Sequence, residues 1–85
     1  MGNSRLIFLP LLLVLTMLSA CSEYSAVLKS NDYEYKYEAA KALYADGHYR
    51  QAAELFSMLL APLKGTSYGE ESLYMLAESN LRAKD

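Results

Sequence analysis

Apolar and polar positions alternate differently in three successive parts of the chain. Leu6 to Leu15 is an almost unbroken run of Leu, Ile, Val and Phe, and the small pair Ser19-Ala20 follows it. The next stretch, "SEYSAVLKS", has no clear period and ends in the polar "KSND". From there onward the pattern is helical. Tyr33, Tyr37, Ala40 and Tyr44 recur at i, i+4, i+7 and i+11, with Ala39 and Leu43 on an adjoining stripe. They predict a first helix from about Tyr33 to Asp46, capped by Asn31 with Glu34 in a variant capping box, and stopped by Gly47. A second helix starts at Tyr49, with Ala52, Leu55, Phe56, Leu59 and Leu63 inward and Arg50, Gln51, Glu54 and Ser57 outward. Pro62 should end or kink it, because proline lacks a backbone donor and disfavours helix at the residue before it. "KGTSYGEE" then reads as a loop, and Thr66 or Ser67 caps a third helix. Glu70 and Glu71 lie near its positive end, and Leu73, Leu76, Ala77 and Leu81 form its apolar stripe. No stretch alternates at period two, so the expected fold is all-α.

Composition changes the reading of the first twenty residues. Arg5 is their lone charge, and a basic start, an apolar centre and a small-residue exit make a secretory signal. The run is too short for a comfortable membrane span of about 20 apolar residues. The chain's only cysteine follows directly, so counting excludes an internal disulfide. Leu18-Ser19-Ala20-Cys21 resembles the lipobox of bacterial lipoproteins. The resemblance implies cleavage between Ala20 and Cys21 and acylation of Cys21. Several acyl chains, each gaining about 0.8 kcal/mol per buried methylene, anchor far more firmly than one. Residues 1–20 are therefore expected to be a lipoprotein signal peptide, 21–31 a lipidated tether, and 32–85 the folded region. Ser22 stands where aspartate commonly retains such lipoproteins at the inner membrane, so the expected location is the periplasmic face of the outer membrane. Without residues 1–20 the formal charge moves from 8 minus 10 to 7 minus 10, or −3. That mild acidity argues against nucleic acid as a partner.

The helices also repeat. Aligning "YKYEAAKALYADGHY" with "SLYMLAESNLRAKD" sets Tyr37 on Tyr74, Ala39 on Leu76 and Ala40 on Ala77, an offset of 37 residues. This is close to the 34-residue period of tetratricopeptide repeats, with "PLKGTSYG" as an insertion. Ala40, Gly47, Tyr49, Ala52 and Phe56 stand where that repeat places its small, turn and aromatic residues. Lys36 and Lys64 depart from it, standing where tryptophan and proline are frequent. The expected architecture is a tetratricopeptide-like antiparallel hairpin plus the first helix of a second repeat. The helix that should pack on Leu73, Leu76 and Leu81 would follow Lys84-Asp85, so a truncated, marginally stable or molten array is expected. Lipobox, short tether and the helices beginning "NDYEYKYEAAKALYADGHYRQAAELFSMLL" together resemble the N-terminus of the BamD family, lipoprotein subunits of the machinery that folds β-barrels into the outer membrane. The resemblance implies a scaffold of stacked repeats whose first repeats recognise unfolded barrel substrates. Its partners would be other subunits of that machinery, docked on later repeats.

Candidate chemistry adds little catalytic content. His48 falls in a turn without the companions that a triad or zinc site needs, and Glu70-Glu71 is most simply a helix-start charge pair. There is no glycine-rich phosphate loop, and the expected protein is neither an enzyme nor a holder of a metal or a cofactor, the lipid on Cys21 aside. In tetratricopeptide arrays the first helix of each hairpin lines a concave groove. If Ala39, Ala40 and Leu43 make the hairpin contact, Glu34, Tyr37, Lys41 and Tyr44 face that groove, and the second unit adds Tyr74, Glu78 and Leu81. Lys41 would pair with a substrate carboxylate such as the free C-terminus of a barrel strand. The alternative is that Tyr37 and Tyr44 pack on a neighbouring helix and Lys41 is solvated. Two other functions fit the same features: a SusD-like glycan-binding lipoprotein, and a generic envelope repeat lipoprotein with a peptidoglycan or division partner.

Overall fold

The computed structural model describes residues 23–84, and every regular element within them is a helix. Helix α1 covers residues 23–29, α2 Tyr33–Ala45, α3 Tyr49–Leu59 and α4 Ser67–Ala83. The apolar run, Ala20 and Cys21 lie outside the described residues. An all-α fold is thus borne out at that level, and no described residue is in a strand.

The punctuation of α2 and α3 explains their arrangement. Asp32, one residue later than expected, caps α2 by accepting from the Tyr35 backbone N–H at 3.1 Å. Asn31 makes no such bond because the Ser30 hydroxyl accepts from the Asp32 N–H, which fixes Asp32 in extended geometry at the cap. At the other end Gly47 takes φ +84°, the His48 N–H reaches the Leu43 carbonyl at 2.8 Å and the Gly47 N–H reaches Tyr44 at 3.1 Å. Those two bonds are a Schellman stop, and the left-handed backbone explains the glycine. The three-residue turn folds α3 back along α2.

Core packing follows from the stripes. Ala40 of α2 and Ala52, Leu55, Phe56 and Leu59 of α3 have no exposed surface, and Tyr37 is 3% exposed. Each large apolar side chain buried this way is worth about 1.5–3 kcal/mol. Helix α3 is the central element: it packs on α2 on one side and α4 on the other, while α2 and α4 meet only along one edge. Pro62 lies past the end of α3, in the turns that lead to Thr66. The Thr66 hydroxyl accepts from the Gly69 N–H at 3.1 Å and donates to the Leu63 carbonyl at 2.7 Å, so one side chain both caps α4 and fixes its approach.

Two expectations are corrected. The tether is folded where it is described, because Tyr24, Val27 and Leu28 form an i, i+3, i+4 apolar triad that packs on the hairpin, Val27 being 4% exposed. The Tyr24 hydroxyl donates to the Glu54 carboxylate at 2.7 Å. The ammonium of Lys36, itself buried, donates to the Leu28 carbonyl at 3.1 Å, at the electronegative end of α1. The second correction concerns α4, whose buried face is Gly69, Ser72 and Ser79 rather than leucine. Leu73 and Leu81 are 59% and 63% exposed, Ala77 is exposed, and only Leu76 of that stripe joins the core.

Candidate functional site

The edge where α2 and α4 meet collects the aromatic side chains. Schellman closure after Ala45 carries Tyr49, the first residue of α3, close to Tyr44 of α2, and their rings meet edge to face at 5.3 Å. Two turns earlier on α2, Tyr37 packs edge to face on Phe56 at 6.4 Å and on Tyr68 of α4 at 5.2 Å. Edge-to-face packing sets the positive edge of one ring on the negative face of the next.

Two cations lie on these rings. The Lys41 Nζ sits 5.1 Å from the Tyr37 ring centroid, and the Arg82 guanidinium lies 5.6 Å from Tyr44 and 5.9 Å from Tyr49. Both are exposed, so water screens these contacts. The Arg82 Nε also stands 3.9 Å from Glu78, one turn back on α4. Burial pushes the Tyr37 phenol above its ordinary 10.0, and the Glu71 carboxylate pushes it further. Tyr44 foremost, then Tyr49, raises the Arg82 guanidinium. Arg82 therefore stays cationic and the Tyr37 phenol neutral across the physiological range.

The seven expected groove residues separate. Lys41, Tyr44 and Glu78 lie along the seam, with Tyr44 half-buried and Lys41 open to solvent. Tyr37 forms the seam's floor rather than its open wall, because Phe56 and Tyr68 close over it. Tyr74 and Leu81, 64% and 63% exposed, lie on a side of α4 that helical spacing turns away from Tyr68 and Arg82, so they do not join this groove. Glu34 is exposed near the start of α2. Sequence reasoning missed Arg82, whose only signal was its i, i+4 spacing from Glu78.

Two concavities adjoin these elements. One, of about 390 Å³, lies at the Arg82 end of the seam and is lined by Gly47, His48, Tyr49, Arg50 and Arg82. Two of those side chains are arginines, and His48 caps α3 without a side-chain bond to it. The other, of about 760 Å³, lies between α1 and α2, with Val27, Ala39 and Leu43 inside and Glu23, Glu38 and Asp46 around it. Reading residues 21–31 as a tether hid this second hollow. Among the described residues no group of three or more His, Cys, Asp or Glu is placed to hold a metal ion, and no helix is long and apolar enough to cross a membrane. No family model matches the chain, and neither a curated protein nor a solved structure is similar to it.

Proposed function

We propose that this chain is a lipid-anchored helical-repeat scaffold that recognises unfolded outer-membrane β-barrel segments at the seam between α2 and α4. The observation that carries the reading is the line of tyrosines at the seam, Tyr37, Tyr44 and Tyr49, with Lys41 and Arg82 lying over their rings. An unfolded barrel strand alternates apolar and polar side chains and ends in a carboxylate. Tyrosine offers a broad apolar face with a polar tip to side chains that vary, and the two cations offer a partner to the terminal carboxylate. The hollow beside Arg82, with Arg50 and His48 in its wall, gives that carboxylate a place to sit.

Repeat architecture supports the same reading. The 37-residue offset sets Tyr37 on Tyr74 and Ala40 on Ala77, and the face of α2 that packs on α3 corresponds to the bare face of α4. Each hairpin of a tetratricopeptide array has its first helix seated on its second in this way. The lipid anchor is carried by Leu18-Ser19-Ala20-Cys21 and places the scaffold at the outer membrane's periplasmic face, alongside the other subunits of the barrel assembly machinery.

Each half of the proposal has its own test. Cells fed labelled palmitate should incorporate label into the chain and lose it on Cys21→Ser; a variant that is still acylated and membrane-bound would remove the anchor. For recognition, a barrel C-terminal peptide is titrated into the full chain in mild detergent. Tyr44→Ala should weaken binding by about tenfold, from the loss of a half-buried ring, with helical content unchanged. Lys41→Glu and Arg82→Glu should weaken a free-acid peptide and leave its amidated form nearly untouched. Equal binding of free and amidated peptides, together with no loss on Tyr44→Ala, would show that the seam is not the contact surface.

A further inference from the structure

We infer that the bare face of α4 is a two-fold interface, on which the α4 of a second copy of this chain packs antiparallel. The face consists of Leu73, Tyr74, Ala77 and Leu81, and its three large side chains are 59%, 64% and 63% exposed. Under the repeat offset it matches the face by which α2 seats on α3, so its shape suits a helix. Its small central residue, Ala77, stands where Ala40 lets α2 approach closely.

The order of residues along the face selects a second copy over an unrelated helix. Glu70, Tyr74, Ala77, Leu81 and Lys84 follow a 4-3-4-3 spacing, which keeps them on one seam of a helix pair. Apart from Tyr74, which a two-fold axis through Ala77 sets against Asn80, the face is also symmetric about Ala77. Leu73 and Leu81 lie four residues either side of it, and Glu70 and Lys84 lie seven either side with opposite charge. Rotating a copy by two-fold symmetry through Ala77 sets Leu73 on Leu81, Ala77 on itself and Glu70 on Lys84, twice over. A two-fold interface requires such self-complementarity, because one patch must meet its own copy. All the residues concerned are exposed, and Gly69, Ser72 and Ser79, which pack toward α3, take no part. The inference is independent of the lipid anchor and of barrel recognition, since it uses neither Cys21 nor the α2–α4 seam.

The test uses the full chain carrying Cys21→Ser in mild detergent, so that one introduced cysteine is the only thiol. Ala77→Cys, on the axis, should oxidise to a disulfide-linked dimer, whereas Ser57→Cys, on the exposed side of α3, should stay monomeric. Glu70→Lys should slow the Ala77→Cys cross-link by about tenfold, as two attractive pairs become repulsive, and adding Lys84→Glu should restore it. Cross-linking at position 77 no faster than at 57, or a charge-swapped double variant that stays slow, would overturn the inference.

Discussion

Ser72 and Ser79 turn fully buried hydroxyls toward α3, and among the described residues neither hydroxyl has a hydrogen-bond partner. Burying such a group costs free energy that alanine avoids, and alanine is also the better helix former. Ser72→Ala and Ser79→Ala are therefore expected to leave stability unchanged or raise it by up to about 1 kcal/mol, read from urea unfolding followed by circular dichroism. A loss above that size would mean the hydroxyls are satisfied in solution. Gly69 behaves oppositely. A Cβ there would be driven into the Leu63 carbonyl, 2.8 Å from its carbon, and backbone cannot swing aside as a side chain can. Gly69→Ala should destabilise by about 1–3 kcal/mol despite its better helix propensity. Tyr24 and Tyr37 make stability sensitive to alkali. Burial first, then Glu54 and Glu71 respectively, raise their phenols above the 10.0 of the unfolded chain. The folded state thus keeps protons that the unfolded state releases, so the contribution is complete below about pH 10 and is lost as pH rises toward the folded values. Tyr24→Phe should flatten the fall in denaturation midpoint between about pH 9 and pH 12, and an unchanged slope would exclude that phenol.

At the scale of elements, α2 and α3 were legible because each is long enough to repeat its apolar stripe and because Gly47 stops α2, and the start of α4 was legible because Thr66 caps it. Helix α1 was not. Its described part is seven residues long, so Tyr24, Val27 and Leu28 are its whole signal, too short to establish a period. The face of α4 was misjudged for a different reason: hydropathy marks leucine as interior, whereas close helix crossing at Gly69, Ser72 and Ser79 selects for small size. Lys36 joins these elements, since its ammonium ties α2 to the end of α1 and the Tyr24–Glu54 bond ties α1 to α3. Lys36→Ala should cost about 2 kcal/mol, the worth of a hydrogen bond to a charged group. Amide exchange should then lose protection in residues 23–29 while α3 keeps it. Equal loss in both would mean that α1 does not dock as a separate layer.

Across the whole molecule, three surfaces with different chemistry arise from one short helical chain. The α2–α4 seam is aromatic and cationic, the hollow beside α1 is apolar with carboxylates around it, and the outer face of α4 is apolar with opposite charges at its two ends. On the α2 side, Lys41 and Tyr44 of the seam and Tyr37 of its floor were legible in the sequence. The rest depended on which way α4 is rotated, and Gly69 fixes that rotation through a backbone contact that no periodicity encodes. The account turns on whether unfolded barrel chains touch the seam. A photoreactive side chain placed at position 41 in cells making the full protein tests this directly, with position 64, exposed in the turns after α3, as control. Irradiation should join position 41, and not position 64, to newly exported β-barrel proteins. Capture of none by position 41, or no more than by position 64, would contradict the account.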